Sequence, residues 1–286
     1  MDTKALRIFD AVAGAGSISR AAEDLHYVQS NVSGRILQLE DELGVALFHR
    51  KSRGVALTPA GRVLQGYAGR VLHLVDEARK AVQDSADRGG RLTIGTLETT
   101  AAVRLPPLLL RYRDAFPKVE LMLSTGHTQK LVGEVLDYAL DGAFVSGATD
   151  HDDIVQEAVF EEELVLVTGP DAKTPGPVGD QALLLFHRGC TYRILTEQWL
   201  HEIGQAPARI MEFGSLDAIV GCAAAGLGIA VLPRAVVDRS EYRGRVRLHD
   251  LPGHLAHVTT YFIRHRETAP TRALAGLVDI ARETVA

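Results

Sequence analysis

The chain has 286 residues, enough for about two domains, and its 46% hydrophobic and 23% charged residues are the proportions of a globular protein. No apolar run approaches the ~20 residues of a membrane span, and the N-terminus lacks a signal-peptide pattern. A net charge of −5 argues against nonspecific nucleic-acid binding. Cys190 and Cys222 have neither metal-ligand nor CxxC spacing, so no metal or cofactor and a reducing cytoplasm are expected.

Thr3 to Ala15 reads as a helix with Leu6, Phe9, Val12 and Ala13 on one face, ended by Gly14 and Gly16. A short helix follows, with Ser19 as its cap and Arg20 to Leu25 as good helix formers. His26-Tyr27-Val28 is a sharp turn. A second helix then runs from about Gln29 to Leu43, with Val32, Ile36, Leu39 and Leu43 making its apolar face. Its other face carries Ser30, Asn31, Ser33, Arg35 and Gln38, and its acids Glu40, Asp41 and Glu42 are confined to the far end. A helix entering a DNA major groove needs this asymmetry, with donors and acceptors at one end and carboxylates away from phosphates. An ordinary amphipathic helix with a solvated face is the structural alternative.

The flanks favour DNA. Residues 1–90 carry 12 Lys/Arg against 11 Asp/Glu, whereas residues 91–286 carry 19 against 25. Between Leu43 and Val75 lie Arg50, Lys51, Arg53, Arg62 and Arg70 and no acid, the electrostatic footprint of a nucleic-acid surface. His49 to Gly54 is a basic loop and Val55 to Leu57 a short strand. Together they read as a β-hairpin wing whose tip lies on the DNA backbone. Thr58 caps the next helix, with Pro59 at its first position. That helix continues to about Asp87 with a heptad seam of Leu64, Tyr67, Val71, Leu74, Ala78 and Ala81, which calls for a partner helix from a second subunit.

Arg88-Gly89-Gly90 is a hinge-like linker. Strands then alternate with helices: Arg91–Gly95, a polar turn Thr96–Thr100, a helix Ala101–Phe116, strand Val119–Ser124, helix Gln129–Leu140 and strand Gly142–Ser146. This order predicts a parallel α/β sheet. Strands at Glu163–Thr168, Leu183–Phe186, Ile210–Phe213, Ile229–Leu232 and Val258–Arg264 follow, with a Pro/Gly-rich loop at Pro170–Gly179. Helices are expected from the turn His187–Thr191 to about Ile203, over Leu216–Ala225 with Ser215 as cap, and over Thr271–Val285. Thr99 and Thr100 open a helix after a strand, where backbone N–H groups favour an anion. His187, Arg188, Cys190 and Arg193 suggest a second electropositive turn, hence a small anionic ligand. Cys190 beside His187, with no third orienting group, is too weak for a nucleophile. Gly226-Leu227-Gly228 is too short for a dinucleotide fingerprint.

These pieces together resemble the LysR-type transcriptional regulators over essentially the whole chain. The residues carrying the resemblance are Phe9-Asp10-Ala11-Val12-Ala13, Gly16 to Ala22, Gln29-Ser30-Asn31-Val32-Ser33, Leu39-Glu40, Leu43-Gly44, Leu47-Phe48, Arg50 and Leu57 to Gly61. In the second half they are Leu92 to Gly95, Leu105 to Leu109, Phe116-Pro117 and Ala224 to Pro233. The resemblance implies an α+β winged helix-turn-helix DNA-binding domain over residues 1–58, a long dimerising linker helix over 59–87, and an α/β two-lobed effector-binding domain over 88–286. That last domain is like type 2 periplasmic binding proteins, with lobe I at about 91–160 and 265–286 and lobe II at about 161–264.

The resemblance further implies a homodimer through the linker helix, assembled into a homotetramer. Its partners would be double-stranded DNA at an interrupted dyad, a small-molecule co-inducer between the lobes and, for an activator, RNA polymerase. DNA contacts carry over to Gln29, Ser30, Asn31, Ser33 and Arg35 in the recognition helix and to Arg50, Lys51 and Arg53 in the wing. Effector contacts carry over to Thr99, Thr100, His127, Thr128, Ser146, Gly189, Cys190 and Thr191. Two positions depart from the family: Val28 stands where Ser or Thr commonly caps the helix, and Gly34 where a basic residue is common. Regulators of this kind are not enzymes; an enzyme fused to a DNA-binding module and an effector-independent regulator are the rival readings.

Overall fold

The computed structural model describes residues 1–51, 54–85, 89–172, 181–239 and 241–284. Arg53 at the wing tip, Arg88 of the linker, most of the Pro170–Gly179 loop and Val285 lie outside the described residues. Contacts divide the chain into two units, Met1–Val82 with Asp137–Ala139, and Gln83–Leu136 with Leu140–Ala286.

The first unit begins with α1 (Thr3–Ala15), α2 (Ile18–Asp24) and α3 (Gln29–Leu43). Asp2 caps α1, its Oδ1 accepting from the Ala5 N–H at 2.7 Å, and Gly16 alone ends it at φ 60; Gly14 is helical. The cap of α2 is Ser17 rather than Ser19, its hydroxyl accepting from the Arg20 N–H, so the helix starts earlier than expected. Helix α3 has the expected bounds. Val28 at its N-cap makes no side-chain bond, as an apolar residue must. Leu6, Phe9, Val12, Ala21, Val32, Ile36 and Leu39 form one buried core.

The wing is the antiparallel hairpin of β1 (Phe48–Lys51) and β2 (Gly54–Leu57). Two contacts fix its root. Glu40 Oε1 accepts from the N–H groups of Leu47 at 2.6 Å and Phe48 at 3.1 Å. The Val55 N–H donates to the Gly16 carbonyl at 2.9 Å. Gly54 holds φ 94, and a Cβ there would strike that same carbonyl oxygen, so no side chain fits. Thr58 caps α4 (Pro59–Ser85): its hydroxyl accepts from the Gly61 N–H at 2.9 Å and donates to the Ala46 carbonyl at 2.8 Å.

The apolar pattern of α4 divides differently from the expected seam. Leu64, Ala68 and Leu72 pack on the helix's own domain core. The exposed apolar row is Val63, Tyr67, Val71, Leu74 and Val82, with Ala78 in line. Leu64 therefore belongs to the intradomain face.

The second unit carries a seven-stranded sheet in the order β10-β6-β11-β5-β3-β4, with β9 also pairing β6. Its strands are β3 (Gly90–Thr96), β4 (Val119–Thr125), β5 (Gly142–Ser146), β6 (Ile154–Thr168), β9 (Ala230–Pro233), β10 (Arg247–Asp250) and β11 (His257–His265). Only β3–β4 and β3–β5 are parallel; the pairs of β6 with β9, β10 and β11 and of β11 with β5 are antiparallel. The sheet is thus mixed rather than parallel. Strand β6 is 15 residues long, and its first half, absent from the expected element at Glu163–Thr168, pairs with β11. That pairing shifts register between Thr260 and Tyr261. Two parallel strands, β7 (Ala182–Phe186) and β8 (Arg209–Phe213), lie beside β9.

The expected helix Ala101–Phe116 is two helices, α5 (Glu98–Val103) and α6 (Leu105–Ala115), broken at Arg104. Pro106 and Pro107 have no N–H to give the carbonyls four residues back, so the first helix stops and the second starts with proline in its first turn. Helix α7 (Thr128–Leu136) ends before Leu140, where Tyr138 takes φ 58. The remaining helices are α8 (Thr191–Glu202), α9 (Leu216–Ala224), the short α10 (Arg234–Val237) and α11 (Arg272–Glu283). The core of β3, β5, α6 and α11 (Leu92, Ile94, Leu108, Phe144, Leu277) is separate from those of β7, β9, α8 and α9 (Leu183, Ile229, Leu200; Leu184, Ile219, Leu232). These are the cores of two lobes.

Candidate functional site

On α3, Gln29, Ser30, Asn31 and Gly34 are exposed, whereas Ser33 and Arg35 are half-buried. Their spacing explains this. Two residues apart is about 200° around a helix, so Ser33 and Arg35 flank the buried Val32–Ile36 stripe on opposite sides. The five expected readers do not share one face. Arg35 lies toward α1: it lines a cavity of about 300 Å³ with Lys4, Tyr27, Ser30, Asn31 and Gly34, and it donates to Gln38 Oε1 at 3.1 Å. Lys4 sits over the Tyr27 ring at 5.4 Å. Val28 is 67% exposed at the helix tip. In the wing, Lys51 is exposed and Arg50 pairs with Val55 in the hairpin register.

The second candidate site is a cavity of about 280 Å³ between the turns at the ends of β3 and β4 in one lobe and of β7 and β8 in the other. Thr99, His127 and Cys190 of the expected set line it. So do Leu97, Glu98, Lys130, Phe186, His187, Tyr192 and Gly214. The other expected residues are spent on contacts between the turns. Thr128 Oγ1 and Thr191 Oγ1 share a hydrogen bond of 3.2 Å, and Thr191 donates to the Ser146 carbonyl at 2.6 Å. The Gln129 N–H donates to the Gly189 carbonyl at 3.3 Å, and a side chain at Gly189 would collide with His127 and Gln129. Thr100 is buried, its carbonyl accepting from the Arg104 N–H. Thr260 Oγ1, opposite Ser146 in the β5–β11 register, is buried without a hydrogen bond among the described residues.

The turn after β7 is not the cationic patch expected. Arg193 is buried and bonded to Glu197 at 2.8 Å and to Glu212 at 2.5 Å. The His187 Nδ1 meets the other Glu212 oxygen at 2.8 Å. His187 first, and then Arg193, hold the Glu212 carboxyl below its usual range. Arg188 is exposed. Burial pushes the Cys190 thiol up, and burial likewise keeps the Tyr192 hydroxyl protonated, with Thr99 Oγ1 at 3.2 Å as its partner. Glu98 Oε1 accepts from the Leu216 N–H at 2.9 Å and so serves as the cap of α9 in place of Ser215.

Sequence reasoning missed Glu98 although it adjoins Thr99. It missed Lys130 because only its position one turn into α7 turns it to the cavity. Phe186 read as an ordinary strand end. Among the described residues no cluster of His, Cys, Asp or Glu could hold a metal ion, and no helix is long and apolar enough to cross a membrane.

A winged helix-turn-helix, a long helix with an exposed apolar row and a two-lobed α/β domain define a DNA-binding regulator with a regulatory domain. Residues 3–62 match the bacterial regulatory helix-turn-helix protein, lysR family, and residues 85–286 match the LysR substrate binding domain. The chain belongs to the LysR family of transcriptional regulators and is not an enzyme. It is 44% identical to the HTH-type transcriptional regulator GltR of Bacillus subtilis (strain 168), covering 99% of this chain and 97% of that one. It is 43% identical to the HTH-type transcriptional regulator SoxR of Arthrobacter sp. (strain TE1826), covering 98% and 96%. A full-length OxyR variant from Pseudomonas aeruginosa superposes with a TM-score of 0.74 at 25% identity, covering 99% of this chain and 95% of that one. CbnR complexed with its target DNA has the same fold, with a TM-score of 0.68 at 22% identity and coverage of 99% and 100%.

Proposed function

We propose that this regulator binds an interrupted dyad in double-stranded DNA and responds to a small molecule held between the lobes of its C-terminal domain. Gln29, Ser30 and Asn31 at the exposed tip of α3 are the base-reading set, with Ser33 and Arg35 at its flanks, and Arg50, Lys51 and Arg53 are the backbone set. The exposure of Gln29, Ser30 and Asn31 at the tip of α3 supports this reading. The exposed row from Val63 to Val82 on α4 supports a dimer through that helix, and dimers pair into a tetramer in the cytoplasm. As an activator it would meet RNA polymerase. Dimeric half-sites fall about one helical turn apart.

The observation that carries the effector reading is the cavity bounded by turns from both lobes, because a ligand there has unequal contacts in open and closed states. That inequality is what a two-state switch requires. Footprinting of the full chain upstream of its own gene tests the DNA reading: paired protection that weakens with salt is expected, and a single unpaired site refutes it. The direct bonds of Thr128 and Thr191 across the cleft favour a second reading, closure without ligand. Failure of every small-molecule probe to shift the melting temperature would select it.

A further inference from the structure

The polar groups that face the cleft fall into two opposite kinds, and each kind is fixed by its hydrogen bonds. His127 Nδ1 accepts the Lys130 backbone N–H at 3.2 Å. The neutral ring therefore carries its proton on Nε2, which is a donor. Lys130, whose Nζ has only Glu134 at 3.6 Å among the described residues, lines the same side. On the other side, the His187 Nδ1 lies 2.8 Å from a Glu212 carboxylate oxygen, so the neutral ring carries its proton on Nδ1 and presents Nε2, beside Gly214, as an acceptor. Glu98 spends Oε1 on the Leu216 N–H and has no partner for Oε2 among the described residues. Leu97, Phe186 and the Tyr192 ring supply apolar wall between these groups.

A simple dicarboxylate would meet the Glu98 charge. A simple amine would leave the His127 and Lys130 donors without an acceptor. From this arrangement we infer that the effector is a zwitterion, an α-amino acid or related amino-carboxylate with an apolar side chain. Its carboxylate lies toward His127 and Lys130 and its ammonium toward Glu98 and His187. The inference rests on the cleft being the effector site. A cavity of about 280 Å³ suits so small a ligand, since pockets for drug-sized molecules begin at roughly 300 Å³.

The test is calorimetry and thermal shift on the full chain with matched probes: L-leucine and L-phenylalanine, their deaminated acids isocaproate and hydrocinnamate, and their decarboxylated amines isoamylamine and phenethylamine. An amino acid should bind more than about tenfold tighter than either of its halves, because an unpaired charge in the cleft is costly. Glu98→Gln keeps an oxygen for the Leu216 N–H but removes the charge. It should weaken the amino acid more than about tenfold and bring it level with the deaminated acid. Lys130→Met should weaken amino acid and acid alike and spare the amine. Deaminated acid binding as tightly as the amino acid, unchanged or stronger in Glu98→Gln, overturns the zwitterion and leaves the cleft reading standing. No response to either amino acid, alone or beside its halves, overturns it too. Thr125, at the end of β4, also lines the cavity, and binding that persists in Thr125→Trp, whose indole occupies that space, overturns the cleft itself.

Discussion

Arg104 stands at the break between α5 and α6 and reaches the long strand β6. Its Nε and one terminal nitrogen donate to the two Glu162 oxygens at 2.8 and 2.9 Å, the terminal nitrogen also reaches the Glu161 carbonyl at 3.3 Å, and the guanidinium lies 5.7 Å from the Phe160 ring. The Glu162 side chain is only 6% exposed. Removing its partner leaves a buried carboxylate with no counter-charge, which costs about 3–5 kcal/mol. Arg104→Met should therefore lower the melting temperature of a domain of this size by roughly 6–20 °C. Replacing both partners, Arg104→Met with Glu162→Leu, removes the orphan and should recover most of that loss, because a buried pair is worth little against well-packed apolar groups. The assay is urea unfolding followed by the fluorescence of Trp199, the single tryptophan, which lies in α8 of the same unit. A single variant that costs less than about 1 kcal/mol, or a double variant as unstable as the sum of the singles, refutes the reasoning.

Three further outcomes are expected. Gly54→Ala drives a methyl group into the Gly16 carbonyl at a backbone with φ 94, so it should unseat the wing and weaken DNA binding in gel shift while leaving Trp199 unfolding unchanged. Val28→Thr supplies the missing cap and should stabilise the DNA-binding unit by about 1 kcal/mol; no gain in thermal unfolding would mean that the turn before α3 cannot present a hydroxyl to it. Burial raises the Cys190 thiol, whereas the unfolded chain ionises near pH ~8.5. The unfolded state then loses its proton first, so this contribution is fully present below that pH and is lost as pH rises above it. In a Cys222→Ser background, iodoacetamide should label native Cys190 far more slowly than the urea-unfolded chain, and Cys190→Ala should flatten the alkaline decline in stability.

The DNA-binding unit is largely legible in the sequence because its signals are local. The bounds of α3 follow from the Val32–Ile36–Leu39 spacing and Gly44, and the start of α4 follows from Thr58-Pro59. Ser17 and Ser19 are not separable that way, since either hydroxyl lies near the start of α2. Leu64 falls on the wrong seam of α4 because a sequence does not say which of two apolar faces its own domain consumes. In the second unit, the first half of β6 is hidden because Gln156, Glu157, Glu161 and Glu162 interrupt its apolar pattern. Glu162 is tolerable there only because Arg104, far away in sequence, neutralises it. The cleft residues are non-local in the same sense: Glu98 and Leu216 meet only once both lobes are built, and Arg193 reads as cationic until Glu212 comes into view.

The register shift at Thr260 and Tyr261 falls where β11 is paired with β5 on one edge and with β6 on the other, and β6 and β11 both run from the core of one lobe to that of the other. A joint made of continuous strands has no free loop to swing on. Any opening or closing of the cleft must therefore twist the two paired strands together rather than swing a single loop. An effector that grips groups on both sides of the cleft holds one twist of that joint over the other, and a ligand that fills the cleft without gripping both sides leaves the balance between the two states where it was.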